Sequence, residues 1–484
     1  MKLAEIHLNK LNDWLWEVPM TGEMRVPARI YASERLMHDI QHDDSLVQAV
    51  NVAHLPGIVK YSLAMPDIHL GYGFPIGGVA ATLPEDGGVI SPGGIGYDIN
   101  CGVRLIRSDL TLDDVRERLR DLVNQIYRDV PTGVGASQAI PKLSRSEMEK
   151  VASQGSGWAV SRGFGTHDDL ERTENHGCID GADLSKVSDH AIKRGAEQVG
   201  TLGSGNHFLE LDVVEQVFNP EVAEAFGLRK DALAIQVHCG SRGFGHQICA
   251  DYIRVMQRAV EKYDIRLPDR QLCCAPVHSE EGESYFAAMA CAANFAWASR
   301  QTIMHLALKA FERVLARKRH EMGLRLVYDV CHNIAKFEKH LIDGREATVC
   351  VHRKGATRAF PAGHRDVPEA YRRVGQPVLI PGDMGRHSFV LVGMPGAMES
   401  TFGSSCHGAG RTLSRGAALR EVHGRDIARE LEQRGIIVRS KGRKTLGEEV
   451  SEAYKDVADV VDVVHNAGIA QKVAMLRPIA VVKG

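Results

Sequence analysis

Asp98 and Cys101 lie three residues apart, directly behind the turn Ser91-Pro92-Gly93-Gly94-Ile95-Gly96. Glycines at that density let a chain bend sharply and come close to a ligand. A hard carboxylate and a soft thiolate at this spacing can grip one small cation together. Two donors do not close a metal site. Three later segments each offer a histidine beside glycine or asparagine: His207 in GSGNHFLE, His238 in VHCGSRG and His332 in YDVCHNIAK. The expectation is that these three meet Asp98 and Cys101. Such a set suits Mn²⁺, Zn²⁺, Fe²⁺ or Co²⁺ rather than Mg²⁺ or Ca²⁺. Five protein donors exceed what one catalytic ion with an open position uses. Two ions sharing the Cys101 thiolate use them all, and paired ions clamp a phosphoryl group under attack.

A second reactive stretch is TFGSSCHGAGR (401–411). Main-chain N–H groups of a glycine-rich loop can cradle phosphate oxygens. A neutral imidazole there is a competent nucleophile toward phosphorus, and a covalent intermediate splits one hard displacement into two. Cys406 competes for that role, but a thiolate attacks phosphorus less readily, so His407 is the expected nucleophile. VHRKGATR (351–358) puts Arg353, Lys354 and Arg358 in one short span suited to phosphates, and GSRGFGH (240–246) puts Arg242 beside His238. PGDMGRHSF (381–389) and Lys483 are expected to contact a second ligand. Asp67 and His69, in MPDIHLGYGFPIGG, are expected near a ligand as supporting groups. RSKGRK (439–444) and ARKRH (316–320) read as solvated basic faces.

These residues need elements to carry them. Ala232–Val237 and Leu324–Val330 read as short strands that end at His238 and His332, the position where α/β folds build their sites. Thr348–His352 and Pro478–Lys483 read as further strands. Helices are predicted over 35–52, 112–128, 244–263, 284–319, 424–434 and 447–465, the second opening on an N-cap at Thr111. Residues 131–200 are the most polar and irregular stretch. They read as an insertion with short helices at 145–154 and 185–198, and their histidines lack the glycine-flanked setting of the proposed donors.

At 484 residues the chain exceeds one small core. It shows no internal repeat and no low-complexity linker, which favours one large α/β domain over 1–484, with mixed sheets and glycine-rich site loops. A net charge of −2 excludes an overall electrostatic grip on nucleic acid and leaves room for a local basic groove. The ten cysteines include no CxxC pair, which removes zinc-ribbon and thioredoxin readings. The first residues carry charges throughout, and no stretch reaches the ~20 apolar residues of a membrane helix. The expectation is a cytoplasmic protein with free thiols and no membrane partner.

The segments MPDIHLGYGFPIGG, GYDINCG, LGSGNHFLE, VHCGSRGFGH, YDVCHNIAK, HRKGATRAF, SCHGAGR and the closing VKG resemble the RtcB family of RNA ligases, in family order from about residue 60 onward. The resemblance implies that family's own α/β fold rather than a Rossmann sheet. It implies a GTP- and Mn²⁺-dependent enzyme joining RNA 2′,3′-cyclic phosphate or 3′-phosphate ends to 5′-hydroxyl ends, in tRNA splicing or RNA repair. His407 would carry GMP, which passes to the RNA 3′-phosphate before the 5′-hydroxyl displaces it. A cyclic end would first be opened by hydrolysis. Cys101 would bridge two Mn²⁺ ions, with Asp98 and His207 on one and His238 and His332 on the other. Guanylate contacts would fall on Asn206, His207, Phe208, Leu209, Glu210, His332, Asn333, Pro381, Gly382, Asp383, Met384, Ser388, His407, Gly408, Ala409, Gly410 and Lys483. Glu210 suits guanine, whose N1–H and N2–H₂ donors a carboxylate accepts together. Many family members carry serine where this chain has Asp383. RNA is the implied partner, with an archease-type activating protein as a second. Two other readings compete: a binuclear phosphodiesterase acting on cyclic phosphates without a nucleotide step, and a non-catalytic RNA-binding scaffold.

Overall fold

The computed structural model describes residues 3–484. Two mixed sheets organise it. The seven-stranded sheet runs in the order Asn9–Asn12, Leu15–Val18, Ala28–Tyr31, Ile58–His69, Ile76–Thr82, Arg345–Lys354, Asn333–Ile342, with one parallel pair at Ala28–Tyr31 and Ile58–His69. The eight-stranded sheet runs Arg325–Cys331, Gly102–Thr111, Ala232–Cys239, Phe208–Val217, Ala470–Lys483, Ser388–Gly393, Pro377–Ile380. Its eighth strand, Ile437–Ser440, pairs in parallel with the last residues of Ala470–Lys483. The two sheets meet where Arg325–Cys331 of one passes through His332 into Asn333–Ile342 of the other.

Period-two alternation decides what each strand shows to the site. Phe208 and Glu210 line the cleft between the sheets, whereas Leu209 points into the apolar core behind, with Leu122, Ile126 and Ile303. That core is built on Glu280–Leu315, a 36-residue helix. The helix opens four residues before the predicted start because Ser279 caps it, accepting from Gly282 N, and three glutamates occupy its first turn. It ends at Leu315, where Ala316 turns left-handed with φ 52°. The helix is alanine-rich and buried over most of its length, so neighbours approach from several sides, among them Arg242–Lys262 and Leu119–Asp129.

Residues 131–200 begin and end side by side, where Thr132 bridges Leu202. Between them, helices Arg145–Gln154, Ser156–Ser161 and Asp189–Gly195 pack around the two long helices. Asn294 of the long helix fixes this segment, donating to Ala152 O and Ile179 O and accepting from Ile179 N.

Three predicted helices are broken. The span 112–128 forms Leu112–Val115, a 3-10 turn at Arg116–Arg118 and Leu119–Asp129. The span 35–52 forms Glu34–Ile40 and Ser45–Val52, separated by a turn in which Asp43 accepts from Ser45 N at 2.7 Å. In the span 447–465 the helix Arg443–Glu448 ends, Ser451–Ala453 makes one 3-10 turn, and the longer helix starts only at Val457, behind an Asp456 cap. Residues 449–454 are instead drawn into side-chain contacts with Arg411 and Arg386, so tertiary contacts override local periodicity. Among the described residues no helix is long and apolar enough to cross a membrane.

Candidate active site

At the seam of the sheets lies a cleft of ≈ 380 Å³. The cation donors converge on it from strand ends. Cys101 precedes Gly102–Thr111, His207 precedes Phe208–Val217, His238 closes Ala232–Cys239 and His332 follows Arg325–Cys331. The Cys101 Sγ atom lies 3.4 Å from His207 Nε2 and 3.2 Å from His238 Nε2. His207 Nε2 is 2.7 Å from Asp98 Oδ2, and His238 Nε2 is 3.3 Å from His332 Nε2. The donor atoms fall into two trios within 4.8 Å, Asp98–Cys101–His207 and Cys101–His238–His332, with the thiol common to both. All five expected donors are therefore brought together, and their chemistry fits a pair of borderline-soft divalent ions.

Burial pushes the Cys101 thiol up to about 12. Burial also pushes Asp98 up, but the facing His207 outweighs it and holds the carboxyl at about 2. Burial holds the imidazoles of His238 and His332 well below their usual range, which leaves both as neutral ligands.

His407 stands on the opposite wall, directly after the short strand Ser404–Cys406, which pairs with Ala356–Arg358. Its ring centroid lies 4.8 Å from that of His332. One oxygen of Asp67 accepts from His407 Nδ1 at 2.6 Å, from His407 N at 2.9 Å and from Gly408 N at 3.3 Å. Burial raises the Asp67 carboxyl, yet the His407 contacts outweigh it and hold it low. Lys455 fixes the Asp67 segment from behind, donating to Pro66 O at 3.1 Å and Ile68 O at 2.6 Å. Gly410 is needed here, since a Cβ on it would stand 2.3 Å from Asp67 O, and its φ is +74°.

A family model described as tRNA-splicing ligase RtcB matches residues 48–484. The chain belongs to the RtcB family. It is 54% identical over 480 residues to the tRNA-splicing ligase RtcB of Thermococcus kodakarensis, covering 99% of each chain. The Archaeoglobus fulgidus protein of the same name is 52% identical, with the same coverage. The RNA-splicing ligase RtcB of Mycobacterium bovis is 48% identical over 439 residues, 90% of this chain and 100% of its own. Membership makes this chain an enzyme of the ligase class.

The other residues expected to contact a nucleotide divide into those that face the cleft and those that do not. Asn206, Phe208, Glu210, Asn333, Pro381, Gly382, Asp383, Met384, Gly408, Ala409, Gly410 and Lys483 line it, together with His69. Leu209 and Ser388 do not. The first faces the core, and the Ser388 hydroxyl instead accepts from Gly382 N at 3.0 Å, holding the 381–384 turn. Burial, with Asp212 next in weight, pushes the Glu210 carboxyl well above its ordinary value, while Lys483 pulls it back. The Asp383 carboxylate is taken by its own loop. It accepts from Arg386 Nε at 2.6 Å, from Gly385 N at 3.0 Å and from the Ser451 hydroxyl.

The expected phosphate role of Arg353 and Arg358 is not borne out by the geometry. Arg353 is buried in a two-pronged pair with Glu338 at 2.7 and 2.8 Å, and Arg358 is buried against Gln376 and Glu174. Strand alternation sets Arg353 opposite its neighbour Lys354, which stays at the cleft and caps Tyr72 O at 2.7 Å and Phe74 O at 3.0 Å. Arg242 stays beside the donors and donates to Gly133 O at 3.1 Å. Sequence reasoning missed Arg415, Glu449 and Tyr454, which also line the cleft. Arg415 opens the helix Arg415–Glu421, and Glu449 and Tyr454 come from a separate, irregular stretch; none of them lies in a motif.

Proposed function

We propose that this chain seals RNA, joining 2′,3′-cyclic phosphate or 3′-phosphate ends to 5′-hydroxyl ends with GTP as co-substrate and two Mn²⁺ ions, in tRNA splicing or RNA repair. The observation that carries this reading is the juxtaposition of two cation-donor trios sharing Cys101 with a carboxylate-oriented imidazole, His407, across the same cleft. Asp98, Cys101 and His207 would hold one ion, and Cys101, His238 and His332 the other. Bound there, the ions supply charge to oppose the negative charge that develops on phosphoryl oxygens.

The chain's own groups carry the remaining steps. Asp67 accepts the Nδ1 proton of His407, which leaves the Nε2 lone pair free to attack the α-phosphorus of GTP and expel pyrophosphate. The RNA 3′-phosphate then attacks that phosphorus and frees the imidazole, giving an RNA 3′ end capped by guanylate. The 5′-hydroxyl attacks the RNA phosphorus, GMP leaves, and the hydroxyl proton is lost to solvent or a nearby base. A cyclic end enters after hydrolysis to the 3′-phosphate. Glu210 sits where a guanine edge can be read, and the base's two N–H donors would favour its charged form against burial. The relatives named tRNA-splicing ligase support the substrate class. An archease-type activator remains part of the proposal, as does a cytoplasmic location.

The test is incubation of the purified protein with α-labelled GTP and Mn²⁺, followed by denaturing electrophoresis. The expected result is a labelled band that is absent from His407→Ala, while that variant still binds metal and GTP. A wild-type protein that opens cyclic ends but takes no label would establish the phosphodiesterase reading instead. A label persisting in His407→Ala would remove His407 as nucleophile.

A further inference from the structure

Arg300 occupies the buried centre of the long helix Glu280–Leu315, and each of its five N–H donors meets an acceptor. Nε and Nη2 bond the two oxygens of Asp329 at 2.9 and 2.8 Å. Nη2 also donates to the side-chain oxygen of Asn100 at 3.0 Å. Nη1 donates to two main-chain carbonyls, Asn100 O at 2.7 Å and Cys239 O at 2.9 Å. These acceptors are not scattered. Asn100 is the neighbour of Cys101, Cys239 is the neighbour of His238, and Asp329 precedes His332 by three residues in the same strand and turn.

A guanidinium is a rigid planar fork, so its donors fix the spacing of whatever they bind. The surroundings leave little room for adjustment. Asn100 is held left-handed at φ 52°, its N–H donates to Asn333 O at 2.7 Å and its side-chain amide to Ala293 O at 2.6 Å. His332 N in turn donates to Cys101 O at 2.9 Å. At Gly102 a Cβ would stand 2.2 Å from Val330 O and 3.0 Å from the Arg300 guanidinium carbon, so no side chain fits between fork and strand.

We propose that Arg300 is the positioning residue of the cation centre: from outside it, the guanidinium sets the separation of the loops that carry Cys101, His238 and His332. The inference rests on the reading of the five donors as a cation site. It is distinct from that reading, because Arg300 touches none of the donor atoms. Arg104 supplies an internal control. It is equally buried and shares Asp329 at 2.8 Å, but its other polar partners are Gln301, Met304 and Thr173, none of them in a donor loop.

The experiment is a Co²⁺ titration of the metal-free full-length protein, with no nucleotide or RNA present. The near-ultraviolet thiolate-to-cobalt band reports Cys101 ligation, and thermal unfolding without metal gives the stability baseline. Wild type is expected to develop the band; its absence there would sink the cation-site reading itself. Arg300→Lys keeps a charge opposite Asp329 but cannot span both carbonyls. It is expected to weaken cobalt binding roughly 10- to 100-fold, the usual range for losing an outer partner of a metal site. Arg104→Lys is expected to lower stability while retaining wild-type cobalt affinity. Wild-type affinity in Arg300→Lys, or equal weakening in both variants, would overturn the inference. Should Arg300→Lys fail to fold, Asn100→Gly keeps the left-handed backbone and deletes the side-chain acceptor of Arg300 together with the amide bond to Ala293 O. Weaker cobalt binding by a smaller factor supports the proposal, and unchanged affinity overturns it.

Discussion

The cation wall of the cleft draws its donors from loops at one end of the eight-stranded sheet, whereas the opposite wall hangs His407 on the three-residue strand Ser404–Cys406. On the first wall, main-chain bonds and the Arg300 fork tie the donor loops to one another, and Cys101 belongs to both trios. On the second, the His407 ring depends on one carboxylate oxygen of Asp67, itself steadied by Lys455. Exposure differs in the same sense. Among the histidines, the His407 side chain keeps 13% of its surface open while His238 and His332 are 4% and 1% exposed; of the donors, the Asp98 side chain is the open one, at 30%. A wall of shared donors should fail as a unit; a wall built on one orienting contact should keep its ligands and lose only rate.

The largest effect is expected where the donors are shared. Cys101→Ala removes a ligand from both trios, so metal analysis of the purified variant should find both ions lost together. Asp98→Ala touches one trio and should leave about one ion in place. Retention of one ion in Cys101→Ala would show that the thiol does not bridge, and the contrast between the walls would disappear.

On the other wall, Asp67→Asn keeps the shape of the side chain and removes its charge. The amide can present its N–H₂ to Nδ1 and so favour the wrong tautomer, with the proton on Nε2. Transfer of label from GTP should slow by roughly 10²–10⁴, the range seen when the carboxylate behind a catalytic histidine is so replaced. Metal content and GTP affinity should hold. A variant that loses metal in step with rate would mean that the two walls are one mechanical unit.

How much of this was legible in the sequence follows the same division. The donors lie in glycine-rich turns at strand ends, and a strand ending at His238 or His332 is a local signal. That Gly102–Thr111 lies between Arg325–Cys331 and Ala232–Cys239 is not local, since the three strands come from widely separated stretches. Arg300 reads only as a cation in an alanine-rich helix until the loops around it are in place. Asp67 could be singled out as a reactive type, but 340 residues separate it from His407, so the pairing had no sequence signature. Arg353 and Arg358 misled for a related reason. A basic run looks like a phosphate grip when Glu338 and Glu174, which neutralise it in the core, lie elsewhere in the chain.

Asp383 tests the turn that joins the two walls at the nucleotide end. A carboxylate aimed at a nucleotide would repel phosphate. The carboxylate instead binds Arg386, Gly385 N and Ser451, tying the 381–387 turn to residues 449–454. Asp383→Ser should therefore act on stability first. Losing a charged hydrogen-bond partner from this buried turn should cost about 1.5–3 kcal/mol, visible as a lower thermal midpoint. GTP affinity should change by less than about tenfold, or 1.4 kcal/mol, because the charge that is removed was already neutralised by Arg386. A larger gain in affinity with no loss of stability would mean that the carboxylate turns toward the nucleotide when it binds, and that this turn belongs to the mobile chemistry of the His407 wall rather than to the fixed frame of the donors.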